Sequence, residues 1–359
     1  MTASNHADVW VLLGPHKGDN NQILALAEGL GMPFRTIELE YSRNFSYLPA
    51  VRRAASIAHL TKESRAEIVP RWPSLVLGIG QRSGPVARYI KKQSGGRTRV
   101  VRLGDPMAPP ELFDLVITTT QYAVRDAPNV VRLPVTITDA GTIKPDRFEE
   151  RWLEAFAHPR RLLVIGGKTS MWRFDQQVIT DTVAVLKRRA QAEGGSIIAV
   201  TSPRTSPELV VTAQRALGEK AVVAGPFPRY GALLSAADEI HVTGDSVSML
   251  SDAVISGKPV GLVPLESNRI AGLVRILGAV GGRPLRVRDL QKFWDDLRAR
   301  DVVGTIDEPR SGLLDISPMD TAIAAVHAVL RGQLPDVAPA PRPAAAARLP
   351  KAAAQPAAG

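Results

Sequence analysis

The stretch Thr243-Gly244-Asp245-Ser246-Val247-Ser248-Met249-Leu250-Ser251-Asp252-Ala253 holds the residue types and spacing of an anion-binding turn. It follows the apolar segment Glu239-Ile240-His241-Val242, which predicts a strand. Gly257-Lys258-Pro259 then stops a helix just before a further strand over Val260 to Val263. Strand, Gly/Ser turn and helix start make an anion site, because the first helical amides lack partners and the macrodipole adds positive charge there. Gly244, Asp245, Ser246, Val247 and Ser248 would form the cradle. The two serines are residues that can cap a helix start or bond a phosphate oxygen. Asp252 follows about one and a half to two turns further in, where a carboxylate could take two ribose hydroxyls. A capped helix without any ligand fits the same local pattern.

A second Gly-rich loop, Gly166-Gly167-Lys168-Thr169-Ser170, follows the apolar run Leu162 to Ile165. Such a loop can bring backbone amides close to a diphosphate, with Lys168 as counter-charge and Arg173 as a second cation. Two familiar nucleotide motifs fail nearby. A Walker A loop ending at Lys168-Thr169 needs glycine at position 162, which is Leu162. Gly78-x-Gly80-x-x-x-Gly84 is one residue too long for the dinucleotide fingerprint, and arginines rather than an acid follow it. No cysteine exists, the six histidines are scattered, and no Asp-x-Asp occurs, so no metal and no cofactor are implied. Charge developing on a leaving diphosphate would have to be offset by amides, a helix dipole and Lys/Arg.

The elements that must position these groups alternate. Asp8 to Leu13, Phe34 to Leu39, Leu75 to Ile79, Arg99 to Leu103 and Leu115 to Thr118 read as strands, with helices over Asn21 to Leu30, Pro49 to Leu60 and Pro85 to Gln93. The pattern restarts with strands at Arg161 to Ile165, Ser196 to Val200, Ala221 to Ala224, Glu239 to Val242 and Val260 to Val263. Helices over Asp175 to Glu193 and Pro207 to Leu217 lie between them, and Thr321 to Leu330 closes the series. The expected fold is α/β, two Rossmann-like doubly wound lobes facing a cleft. The first lobe is expected over residues 1–140 and the second over 141–332, with a disordered Ala/Pro-rich tail over 333–359. Residues 134–150 read as the connection between lobes.

Net charge is +10, and residues 43 to 102 hold thirteen Lys/Arg against two acids, which accounts for all of it. Arg52, Arg53, Lys91 and Lys92 would belong to a face for an anionic partner. No nucleic-acid motif surrounds them, so nucleic acid is disfavoured and an anionic membrane surface or lipid-linked acceptor is expected. No segment approaches the ~18–20 apolar residues that span a bilayer, and no signal-peptide pattern opens the chain. A cytoplasmic location is expected, with peripheral attachment to the inner face of the cytoplasmic membrane.

The Gly-Asp-Ser-Val-Ser-Met run, then Ser251-Asp252-Ala253 and Gly257-Lys258-Pro259-Val260, resembles the C-terminal half of GT-B glycosyltransferases. It is more closely similar to the mitochondrial-fission Elm family, with Asp252 where that family usually has Glu. Gly18-Asp19-Asn20-Asn21-Gln22 and Gly166-Gly167 are further matches, and the likeness spans about residues 8 to 330. The resemblance implies GT-B architecture and a nucleotide-sugar donor in the second lobe, with the Gly225-Pro226-Phe227-Pro228 turn bordering the nucleobase. The acceptor would be membrane-associated or an envelope glycan, held by the first lobe. An inverting transfer needs one base, and the loop from Gly14 to Asn21 offers His16 and Asp19. Asp19 also fits the cap of a helix starting near Asn20, and His16 an exposed loop position. The Pro-x-His-Asp element common in the family is replaced by Thr118-Thr119-Thr120-Gln121-Tyr122, which puts chemistry built on that pair in doubt. Two alternatives follow: a non-catalytic membrane-associated adaptor that kept the fold, and a sugar-nucleotide epimerase.

Overall fold

The computed structural model describes residues 8–42, 54–80, 82–167, 172–267 and 288–335. Its first part runs β1 (Val9–Leu13), α1 (Lys17–Gly29), β2 (Phe34–Glu38), α2 (Lys62–Ala66), β3 (Leu75–Ile79), α3 (Ser83–Gln93), β4 (Arg99–Leu103), β5 (Leu115–Thr119) and β6 (Val130–Leu133). The six strands form one parallel sheet in the order β2-β1-β3-β4-β5-β6. Most of these strands are buried on both faces, which is why they read as near-continuous apolar runs. One face carries Val11, Leu77, Val101 and Ile117 beneath α1, and the other carries Trp10, Leu12, Val76 and Val100 with α3.

The second part runs α4 (Arg147–Leu153), β7 (Arg160–Ile165), β8 (Trp172–Arg173), α5 (Gln176–Glu193), β9 (Ser196–Thr201), α6 (Pro207–Leu217) and β10 (Val222–Val223). It continues through α7 (Tyr230–Ala236), β11 (Glu239–Thr243), α8 (Val247–Ile255), β12 (Val260–Val263), β13 (Glu266–Ser267), α9 (Leu290–Ala299) and α10 (Pro318–Leu330). Five strands make a second parallel sheet, β10-β9-β7-β11-β12, and β8 pairs with β13 in a small antiparallel ribbon. Strand order reverses between β7 and β11, the place where open α/β sheets bind ligands. Both Gly-rich turns of interest leave these two strands.

The lobes are joined twice. After β6, Val135 is buried in the second core while Ile137 is buried in the first, so the connection is threaded through both. The Thr136 amide donates to Ser251 Oγ on α8 at 3.0 Å. At the other end of the chain, α10 leaves the second lobe and packs on the first sheet. Its Ala322, Ala325, Val326 and Val329 share a core with Ile23, Leu26, Ile117 and Leu133.

The expected helix over Pro49 to Leu60 does not form in its described part. Residues 54–60 run as turns ending in a bridge between Tyr41 and Leu60. Their polar groups are taken by the rest of the lobe: Ser56 N–H donates to Pro85 O, Arg88 Nη2 to Ala54 O, and His59 Nε2 contacts Arg82 O. Arg52 and Arg53 lie outside the described residues. Elements that escaped the sequence pattern include α2, β6, α7, α9 and the ribbon strands β8 and β13. So did α4, which begins inside the expected connection with a capping box between Asp146 and Glu149.

Candidate functional site

The turn after β11 feeds straight into α8. Ser246 is its N-cap, but its side chain makes no cap hydrogen bond. The Ser246 and Ser248 hydroxyls lie 3.4 Å apart. The first-turn amides of α8 are thus left to whatever meets them. What meets them is the first lobe. A Cβ on Gly18 would touch Ser248 Oγ at 3.7 Å. Gly18 lies in the first turn of α1, whose N-cap His16 also makes no side-chain cap bond. Two uncapped helix starts, one from each lobe, therefore approach one another, and their dipoles place partial positive charge in one gap.

Asp245 does not face that gap. It is buried, accepts the Gly167 amide at 2.8 Å and the Thr243 hydroxyl at 2.7 Å, and Thr243 Oγ1 in turn accepts the Gly166 amide at 2.8 Å. The two glycine amides proposed for a diphosphate are thus donated within the protein. Glycine is required at both positions for a steric reason: a Cβ on Gly166 would run into the Asp245 carboxylate, and one on Gly167 would lie 2.6 Å from Arg204. Burial raises the Asp245 carboxyl above the usual carboxylate range, against the bonds from Thr243 and Gly167. Gly244 is pinned similarly. Trp294 of α9 donates from Nε1 to Gly244 O at 3.1 Å and its ring fills the space a Cβ would need. Lys168 and Thr169 lie outside the described residues. Arg173 is exposed and paired with Asp175 at 2.6 Å.

Asp252 lies on α8 in a half-buried position. Burial pushes its carboxyl up to about 6, while the Thr138 hydroxyl and Tyr230 phenol beside it act the other way. The Tyr230 hydroxyl is buried without a hydrogen-bond partner, so it stands beside this carboxylate without bonding it. Tyr230 opens α7, directly after the Gly225 to Pro228 turn. Phe227 is 51% exposed there, and Gly225 faces open space. Arg229 clamps the turn to α4: its Nε and Nη2 donate to the buried Glu149 at 2.9 and 2.6 Å.

In the first lobe, His16 is exposed and Asp19 is partly buried. The helix starts at Lys17, earlier than expected, so Asp19 sits inside the first turn and does not cap it. Its carboxylate points along the cleft edge of the sheet, where a Cβ on Gly80 would lie 3.6 Å from Oδ2. Arg102, fully buried, donates to Ser83 Oγ at 2.9 Å and to Gly80 O, and burial lowers its guanidinium to about 10 against the attraction of Asp105 and Asp19. Asn20, not Asp19, ties the loop, bonding both N–H and C=O of Gly14 at 3.0 and 2.9 Å. Beside this loop opens a cavity of about 540 Å³, lined among others by Asn20, Glu38, Glu40, Tyr41 and Arg82. Arg82 lies over the Tyr41 ring at 4.1 Å. Lys92 is exposed, whereas Lys91 pairs with Asp114 at 2.7 Å.

Sequence reasoning missed Thr138, Tyr230 and Trp294, and named Thr243 only as the start of the turn, without a role. Only Trp294 left a signal, the amphipathic run Leu290 to Ala299.

The family model for mitochondrial fission ELM1 matches residues 17–330. The chain belongs to the mitochondrial fission ELM1 family. An uncharacterized protein of Rickettsia prowazekii (strain Madrid E) is 23% identical over 293 residues, covering 70% of this chain and 82% of that one. Among solved structures, a Listeria monocytogenes protein described as a UDP-N-acetylglucosamine 2-epimerase matches with a TM-score of 0.53 at 12% identity. The match covers 90% of this chain and 97% of that chain. The Neisseria meningitidis UDP-GlcNAc 2-epimerase bound to UDP-GlcNAc has a TM-score of 0.49 at 11% identity, over 90% and 100% of the two chains. The fold of this ELM1-family chain is accordingly two Rossmann-like lobes of GT-B type, as expected from the alternating strands and helices.

Proposed function

We propose that the chain is a metal-independent glycosyltransferase that takes a nucleotide-sugar in its second lobe and delivers the sugar to a membrane-associated or envelope-glycan acceptor at its first. The observation that carries this reading is the meeting of two uncapped helix starts, α1 and α8, at Gly18 and Ser248. A diphosphate placed there would gain first-turn amides from both lobes. Asp252 would take the ribose and Phe227 would border the base. The acceptor hydroxyl oxygen attacks the anomeric carbon, and its proton passes to Asp19 or His16. The bond from that carbon to the diphosphate oxygen breaks, and the diphosphate leaves with the charge that the helix starts offset. The cavity beside Asn20 is where the acceptor would lie. Attachment to the inner face of the cytoplasmic membrane is part of the same proposal.

One observation favours the adaptor reading instead. Thr118 to Tyr122 hold no acid or base where the family often has His-Asp. The deciding experiment is a ligand-detected NMR and thermal-shift screen against UDP, GDP, CMP, ADP, dTDP and their sugars. Selective binding that Asp252→Ala weakens by about ten- to a hundredfold supports the donor site. No binding by the intact protein would move the function to the adaptor.

A further inference from the structure

Gln121 is 1% exposed, and neither its Nε2 nor its Oε1 has a hydrogen-bond partner. Its backbone is not idle, since the Asp289 amide at the start of α9 donates to Gln121 O at 2.9 Å. The side chain alone is left over. It does not stand by itself. Thr118, Thr120 and Thr136 each have a buried hydroxyl without a partner. All four residues lie at or just beyond the C-terminal ends of the neighbouring strands β5 and β6. Those strands pair through Thr119 and Leu133, so the two chains leave the sheet side by side, Thr120 and Gln121 in the turn that the Tyr122 amide closes on Thr119 O. Buried polar groups are normally satisfied, so several orphans gathered at one strand edge call for an explanation.

The edge faces the donor lobe. The Thr136 amide is bonded to Ser251, and Thr138 lies beside Asp252, both on α8. Asp289, bonded to Gln121, opens the helix whose Trp294 holds Gly244. Thr120 and Thr136 are partly exposed, so the edge is not sealed from solvent. The groups gathered here carry no charge. A primary amide offers two donors and an acceptor, and each threonine hydroxyl offers one donor and two acceptors. That set brings both donors and acceptors and no counter-charge, which matches hydroxyl and acetamido groups, themselves donors and acceptors, better than an acceptor-only anion.

We infer that Gln121, with Thr120 and Thr136, is the subsite that reads hydroxyl or acetamido groups of the sugar carried by the donor. The inference rests on the nucleotide-sugar reading, and deepens it by assigning sugar recognition to the first lobe and nucleotide recognition to the second.

The test compares Gln121→Leu with the intact protein in calorimetric titrations against UDP, UDP-glucose and UDP-N-acetylglucosamine, together with thermal unfolding without ligand. Leu keeps the volume and removes the unpartnered amide, so the variant should unfold at an equal or higher temperature. The expected result is unchanged UDP affinity with about ten- to thirtyfold weaker binding of at least one UDP-sugar. Equal binding of every ligand by both proteins would overturn the subsite while leaving the donor lobe intact, and the amide would be a purely structural orphan. If the intact protein binds none of these ligands and no other nucleotide-sugar of the screen above, the nucleotide-sugar reading and the subsite fall together. Thr136→Val serves as the second variant, expected to weaken the same sugar and no other ligand. A fall in UDP affinity equal to the fall in UDP-sugar affinity would also count against the subsite.

Discussion

The Asp245 carboxylate accepts the Gly167 amide at 2.8 Å, locking together the ends of two adjacent strands that are 78 residues apart in the chain. This bond sets where the β7 turn ends and therefore how close its backbone comes to the α8 start. Gly166→Ala would put a methyl group into the carboxylate. We expect it to cost about 1–3 kcal/mol of stability and to abolish the selective nucleotide response. Gly84→Ala in α3 is the control, because a Cβ there makes only ordinary contact with Phe113 at 3.6 Å. Urea denaturation and nucleotide titration of both variants check the contrast, and equal behaviour would refute it.

Stability should carry a pH signature from Asp252. Its carboxyl is raised from 3.8 to about 6 in the folded chain, mainly by burial. The folded state then holds the proton more tightly than the unfolded state. The favourable contribution is fully present below pH 3.8 and is lost as pH rises through about 6. The loss amounts to roughly 3 kcal/mol. Asp252→Asn has no proton to lose, so its stability relative to the parent should improve steadily across that window. Denaturation midpoints measured from pH 4 to about pH 7 would show a sloping difference, and a flat one would disprove the cause.

Glu149 has the opposite sign. The Arg229 guanidinium, foremost, and the Asp146 and Arg229 amides hold its carboxyl down to about 2 from an ordinary 4.5. Its contribution is present above pH 4.5 and disappears as pH falls through about 2. Glu149→Gln should cost about 2–3 kcal/mol at neutral pH. It should also loosen the turn bearing Phe227, so discrimination between nucleobases should fall more than affinity for a bare diphosphate. Binding of UDP, GDP and pyrophosphate by the variant separates the two effects.

The basic first lobe makes a prediction about membranes. Arg52, Arg53 and Lys92 replaced together by alanine should weaken binding to anionic vesicles by roughly a hundredfold, at about 1 kcal/mol per cation. Added salt should weaken the parent in the same way. Lys91→Ala alone should do less, because Asp114 already offsets that charge at 2.7 Å. Vesicle sedimentation insensitive to both salt and substitution would remove the membrane from the proposal.

What could be read from the sequence was local. Leu75 to Ile79, Arg99 to Leu103 and Val260 to Val263 stand where their apolar runs placed them, because strands buried on both faces leave a continuous signature. The β11 turn and α8 were legible for a similar reason, since cap, turn and helix lie within a dozen residues. The periodicity of Val51, Ala54, Ala55 and Ala58 misled over residues 54–60, where bonds to Pro85, Arg82 and Arg88 take the backbone elsewhere. The commitments inside the site were not legible, because each partner is remote. Asp245 finds Gly167, Asp252 lies beside Thr138 and Tyr230, and Gln121 meets Asp289. No spacing rule links such pairs.

The return of α10 to the first sheet also bears on how the chain is made. Synthesis delivers the whole of β1 to β6 long before Ala322, Ala325, Val326 and Val329, which share one face of that sheet with α1 and lie over its β4 to β6 side. The first lobe is therefore finished after the second, and part of its apolar face stays open while the second lobe is still being translated. A stop codon after residue 316 would spare the second lobe's core and leave the first one partly uncovered, so truncated products should be lost to aggregation and proteolysis through the first lobe.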